Sequence, residues 1–164
     1  GIESGSPAIL KAVHKNLDLE QIRQAAAWSR EAGLQTKGFF MVGFPNETRG
    51  TLDETRRFAL SLPLDDITVM QLTPFPGSEL YRDGAQYGTF DHDWRKMNTL
   101  TTVFVPKGLT PADLDEARDR LLRSFYSRPS VIWRHALNAL CHPRLLYGQA
   151  KGFLSLFRPN WNHP

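Results

Sequence analysis

The residues of this chain that could do chemistry gather in three turns. Glu3 and Ser4 lie in the opening run Gly1-Ile-Glu-Ser-Gly-Ser6, and their oxygens suit hydroxyl or amino groups of a ligand. Glu47 sits in Gly43-Phe-Pro-Asn-Glu-Thr48, and a third turn, Leu72-Thr-Pro-Phe-Pro-Gly-Ser78, offers mainly backbone and apolar surface. Glu3 and Glu47 together admit one reading as an acid and base pair. The five histidines, His14, His92, His135, His142 and His163, form no H-x-x-x-H or H-x-H pair, so solvated or capping roles are expected rather than metal ligation. The single cysteine, Cys141, excludes an internal disulfide, and also a cluster or zinc site built from this chain's cysteines alone. No G-x-x-x-x-G-K-[ST] phosphate loop is present. Glu3-Ser4-Gly5 has the outline of a nucleophile turn but lacks a matching histidine and acid.

The elements that must position these turns repeat one rhythm over the first 90 residues. A β-prone run ends in a Gly/Pro turn, and an amphipathic helix follows. Pro7 to His14 is expected to form a short helix. Asp18 and Gln21 form a capping box for a helix running to about Ala32, with Gly33 as its stop. Thr36 to Gly43 reads as a strand. Its centre, Phe39-Phe-Met-Val42, shows no polar alternation and is expected to be covered on both faces. Thr51 and Glu54 suggest a second capping box, for a helix reaching about Leu62. Ile67 to Thr73 reads as the next strand, with a helix through Leu80 and Tyr81. Three βα units at this spacing imply consecutive parallel elements.

After Gly88 the rhythm changes. Asp91 to Trp94 reads as loop and Leu100 to Val105 as a further strand. Thr110-Pro111 starts a helix whose stripe is Leu114, Ala117, Leu121, Leu122 and Phe125. Ser130 is expected to cap the next helix. Pro143 ends that one and opens a last helix lined by Leu146, Ala150, Phe153 and Phe157. The expected fold is α/β: three parallel βα units forming the second half of a partial (βα) barrel over residues 1–90, then a mostly helical extension over 91–164. In such a barrel the loops at the carboxyl ends of the strands build the active site, and all three turns fall there.

Composition narrows the class. With 41% hydrophobic and 23% charged residues among 164, the chain can bury a core and is not disordered. Gly1 to Asp93 carries nine basic and 13 acidic residues, a balance of −4, whereas Trp94 to Pro164 carries 11 basic and four acidic, a balance of +7. From Arg128 onward there is no acid at all. Arg128, Arg134, Arg144, Lys151 and Arg158 alternate there with Trp133, Tyr147, Phe153 and Phe157. Such a tail is expected either to pack against the missing barrel half with its arginines solvated or to meet an anionic membrane surface. No nucleic-acid module accompanies the charge. The sparse cysteine and the lack of a signal-like start suggest a cytoplasmic protein, with peripheral membrane contact an option. The first methionine is Met41, so an excerpt of a longer protein is expected.

The order G-x-E-S-G-S, then Ala32-Gly33-Leu34, then Gly38-Phe-Phe-Met-Val-Gly-Phe-Pro-Asn-Glu-Thr48, then Pro74-Phe-Pro-Gly77 resembles the second half of a radical SAM core over about Gly1 to Gly88. The branch it is most similar to carries a cobalamin-binding domain upstream and includes an anaerobic porphyrin cyclase and various methyltransferases. The resemblance implies an enzyme that reductively cleaves S-adenosylmethionine at a 4Fe-4S cluster, with cobalamin as an optional partner and a porphyrin, lipid or other small molecule as substrate. The cluster loop would lie upstream of Gly1. This chain should therefore hold no cofactor alone, be inactive alone, and pair with the missing N-terminal half or with itself. By the same resemblance Glu3 and Ser4 match the position that meets the polar groups of S-adenosylmethionine. Met41, Val42 and Gly43 match the segment along its adenine, as do Leu72, Thr73 and Pro74 on the next strand. No catalytic or metal residue is implied. Glu47 falls one place late for the family's acid, and its expected role is charge compensation at the following helix. Two alternatives stand beside this: a βα enzyme of another class using Glu3 and Glu47, and a non-catalytic module docking on a membrane or partner.

Overall fold

The computed structural model describes residues 1–141. Two strands, β1 (Lys37–Val42) and β2 (Asp66–Gln71), pair in parallel, with Lys37 opposite Asp66 and Val42 opposite Gln71. Upstream, Glu3 makes a single parallel bridge to Phe40. The expected three parallel units are thus two strands and one bridge. The fold is mixed α/β; a closed or half-closed barrel is not what these two strands form by themselves.

Helices connect the strands. The helix α1 (Pro7–Ala12) starts on proline, and α2 (Leu19–Glu31) starts on the Asp18–Gln21 capping box and stops before Gly33, whose φ is +72°. The connecting helix α3 (Arg49–Ser61) is capped by Thr48, not Thr51. The Thr48 hydroxyl accepts the Thr51 N–H, and the Thr51 hydroxyl accepts the Thr48 N–H, so the expected Thr51–Glu54 box gives way to one beginning three residues earlier. Asn46, at φ +63°, turns the chain just before that cap. A short α4 (Glu79–Asp83) follows β2, capped by Ser78.

The segment after Gly88 is less regular than expected. The strand read over Leu100 to Val105 is only β4 (Phe104–Pro106), antiparallel to an unforeseen β3 (Gly88–Phe90). The helix α5 (Pro111–Tyr126) carries the Thr110–Asp113 capping box and buries Leu114, Leu121 and Phe125 as its stripe demands. The helix α6 (Pro129–Cys141) begins on Pro129, so Ser130 lies in its first turn instead of capping it. The last helix, with Leu146, Ala150, Phe153 and Phe157, and the tail bases Arg144, Lys151 and Arg158 lie outside the described residues. No helix among those described is long and apolar enough to cross a membrane.

One hydrophobic cluster joins both parts. Leu10, Phe40, Val42, Phe58 and Val69 from the first 90 residues pack with Leu114, Leu121, Phe125 and Val131. Only one face of the strand pair is covered. Gly38, Phe40 and Val42 alternate inward with Ile67 and Val69, against the helices, whereas Phe39 is 41% exposed and Met41 and Met70 are half-buried. This corrects the expectation of a doubly covered β1. The unbroken apolar run is written for two covers, and the described residues supply one.

Candidate functional site

The three turns do crown adjacent parallel strands. The Met41 N–H donates to the Glu3 carbonyl at 2.8 Å, and the Leu72 N–H donates to the Val42 carbonyl at 2.8 Å. The carboxyl ends of the Glu3 segment, β1 and β2 therefore stand side by side. Strand alternation puts Phe39 and Met41 on the open face beside Thr68 and Met70, their register partners, with Leu72 next along β2's line.

Of the eight residues singled out, the structure brings Glu3, Met41 and Leu72 to accessible positions, each half-buried. Glu3 has φ +69°, a left-handed conformation that non-glycine residues rarely hold. Its carboxylate pairs with Lys15 Nζ at 3.1 Å. Val42, Thr73 and Pro74 are buried, and Val42 points to the helix side. Ser4 is fully buried, its hydroxyl 3.0 Å from that of Thr55 on α3. The Gly5 N–H donates to the same Thr55 oxygen at 3.0 Å. A Cβ on Gly5 would lie 2.5 Å from Phe58 Cβ and 2.8 Å from Thr55 Cα, so only glycine lets the turn seat on α3. Much of the Glu-Ser-Gly-Ser run is thus a seam between the first turn and a helix 50 residues away.

Gly43 adopts φ +97° directly after β1, where Leu72, Leu114 and the Phe104 carbonyl surround it. Glu47 holds this turn. Its carboxylate accepts the N–H groups of Gly43 and, at 3.1 Å, of Phe44. The side chain is 1% exposed, and its second oxygen has no hydrogen-bond partner. Burial pushes the carboxyl up to about 7 against the opposing pull of the two N–H groups. The expected role at the N-terminus of α3 is therefore not the one the structure shows; Glu47 reaches back to the strand end. Its position four residues after a glycine in a Pro-Asn turn was the only sequence signal for this. Gln71, at the end of β2, is a second polar residue that sequence alone left unremarked. It is 1% exposed, and its Nε2 donates to Asp115 of α5 at 3.0 Å, while its backbone N–H meets the Thr99 carbonyl at 2.8 Å.

Among the described residues no group of three or more His, Cys, Asp or Glu side chains could hold a metal ion. With one cysteine in the chain, a 4Fe-4S cluster does not fit on these residues. The open face is different in kind. It is an accessible strand surface of Phe39, Met41 and Met70, which suits a flat apolar ring more than a charged group.

No family model matches the chain. Relatives do. It is 34% identical over 133 residues to an uncharacterized methyltransferase of Pyrococcus horikoshii, covering 80% of this chain and 29% of that protein. It is 30% identical over 155 residues to the anaerobic magnesium-protoporphyrin IX monomethyl ester cyclase of Cereibacter sphaeroides, covering 94% of this chain and 25% of the cyclase. It is 27% identical over 135 residues to the bacteriochlorophyllide d C-12(1)-methyltransferase of Chlorobaculum tepidum, covering 82% and 29%. This chain is therefore a distant homologue of these cyclases and methyltransferases, the branch that its motifs resemble. It spans between a quarter and a third of the length of each of these three relatives.

Proposed function

We infer that this chain, a distant homologue of anaerobic cyclases and methyltransferases, is the cosubstrate-binding part of a radical SAM enzyme that acts on a porphyrin or another small molecule. The observation that carries the reading is the alignment of Glu3, Gly43 and Leu72 at the carboxyl ends of neighbouring parallel strands, beside an uncovered apolar face. When bound, S-adenosylmethionine supplies a reductively cleavable sulfonium, and a four-iron cluster elsewhere in the longer enzyme supplies the electron; cobalamin belongs to the reading only through the branch resembled. No step is assigned to the cluster on this chain. The part given to its own residues is orientation and exclusion of water. Met41 and Met70 form the wall for the adenine ring, Gly43 turns the chain at the strand end beside it, and Glu3, poised against Lys15, faces the polar groups.

The longer enzyme, loaded with its cluster and supplied with a reductant, should release 5′-deoxyadenosine from S-adenosylmethionine, and this chain alone should not. Met41→Asp sets a charge against the wall without touching the helix-side core and should abolish the release. Unchanged release in that variant rejects the adenine wall. The absence of any release from the wild-type longer enzyme rejects the reaction class. The open face and the single-bridge edge at Glu3 also favour association of this chain with the rest of the longer enzyme or with a second copy. A strictly monomeric chain by light scattering, with protected amides at Ile2 and Glu3, contradicts that.

A further inference from the structure

The end of the fold opposite the three turns carries an apolar face that is unpartnered among the described residues. On α6 the inward side is taken by Val131, which is buried in the core, and by Arg134, whose guanidinium donates to Asp65. On the other side Ile132, Trp133, Ala136 and Leu137 recur at spacings of one, three and one, and so share a stripe along the helix. Trp133 is 67% exposed, and Ile132 and Leu137 are each 44% exposed. The stripe stands at the amino ends of the strands. Asp65, just before β2, accepts from Arg134 of α6 and from the N–H of Thr36, just before β1, at 2.8 Å. The same edge includes Leu34, exposed in the loop leading to Thr36, and the exposed Trp28 lies one turn earlier, near the end of α2.

The charge around this face is one-sided. Arg128 lies just before α6, where burial together with the positive neighbours Arg134 and Arg30 holds its guanidinium below its ordinary value, while Arg134 is paired with Asp65. Nothing acidic offsets them downstream, because the sequence from Arg128 to Pro164 has five basic residues and no Asp or Glu. The carboxylates just before and at the start of β2 are paired: Asp65 with Arg134, and Asp66 with Lys37 and the Tyr126 hydroxyl. An exposed tryptophan and aliphatics on a helix whose sequence from Arg128 onward holds bases and no acid fit the interfacial zone of an anionic bilayer better than a protein partner. We propose that the outer face of α6, centred on Ile132, Trp133 and Leu137, docks this chain on anionic lipid with the helix lying in the membrane plane. The carboxyl ends of the strands, where the three turns lie, then face away from the surface and stay open to small molecules.

The test uses the whole 164-residue chain and vesicles of phosphatidylcholine alone or with a third phosphatidylglycerol, at low and high salt. The chain should float with the anionic vesicles only, and less as salt rises. Trp133→Ser with Leu137→Ser alters only exposed side chains and should weaken binding at least about tenfold at an unchanged melting temperature. Trp94→Ser, equally exposed but in a loop beyond β3, should bind like the parent. Equal binding to both vesicle types, no binding, or binding untouched by the double substitution overturns the proposal. So does self-association that the double substitution abolishes, since the face would then be an interface between copies.

Discussion

The buried carboxyl of Glu47 should make this fold lose stability as pH rises, which is opposite to the usual behaviour of a paired acid. Its ordinary value is 4.5 and its folded value about 7, because burial penalises the charge more than the Gly43 and Phe44 N–H groups compensate. The folded state therefore binds more protons than the unfolded state between these values, and the contribution to stability falls through that window. Below pH 4.5 the group is neutral in both states and costs nothing. Above 7 the full penalty, about 3 kcal/mol, applies. Integrated between pH 5 and pH 8, the loss is about 2.5 kcal/mol. Glu47→Gln keeps an amide oxygen for Gly43 and Phe44 and cannot ionise. It places an NH2 where the second oxygen has no partner, a cost of roughly 1–3 kcal/mol that does not vary with pH. Urea unfolding of parent and variant at pH 5, 6, 7 and 8 separates the two effects, because every other titrating group cancels in the difference. The variant should gain about 2.5 kcal/mol on the parent from pH 5 to pH 8. Curves that stay parallel would show that Glu47 is charged in the fold at pH 5, and the account of its burial would fail.

Three further outcomes test the packing around the turns. Gly5→Ala drives a Cβ into the backbone of Thr55 and the side chain of Phe58 and should cost about 1–3 kcal/mol in thermal or urea unfolding. Thr48→Ala should cost about 1 kcal/mol by removing the true cap of α3, while Glu54→Ala should change stability by less than about 0.5 kcal/mol. The one-sided cover of β1 predicts an asymmetry between neighbours: Phe40→Ala should cost about 3–5 kcal/mol, but Phe39→Ser, on the open face, should stay within about 0.5 kcal/mol in the isolated chain.

Local signals proved readable and distant ones did not. The capping boxes at Asp18 and Thr110 close within three residues, and the stripe of α5 repeats within one helix, so both could be seen in the sequence. The cap of α3 was misplaced because Thr51 is followed three residues later by Glu54, the pattern that marks a box, whereas Thr48 is followed there only by the Thr51 hydroxyl; the turn at Asn46 decides between them. The strands β3 and β4 have three residues each and exist only because Gly88 meets Pro106, 18 positions away, which leaves no period to detect. Ser4 looked like a ligand group for the same reason. Its partner Thr55 is 51 residues distant, and a serine in a glycine turn reads alike whether its hydroxyl faces a ligand or a helix.

The polar groups of the turns are mostly consumed in building the turns. Ser4 is tied to Thr55, Glu47 to the Gly43–Phe44 backbone, and Gln71 to Asp115, each of the three polar side chains 1% exposed or less. A buried polar group with a partner rigidifies its surroundings, and one released to serve a ligand would leave its partner unpaired at a cost of about 1–3 kcal/mol. On the reading proposed above, what this chain would offer a nucleoside is therefore shape and apolar surface at Met41, Met70 and Leu72, with Glu3 and Lys15 as an accessible charged pair. Shape alone discriminates weakly, since a hydrophobic wall distinguishes related flat ligands by only a few kcal/mol. On the same reading, the polar recognition that separates one nucleoside from another falls to residues opposite this wall, where the open face of β1 would take its second cover.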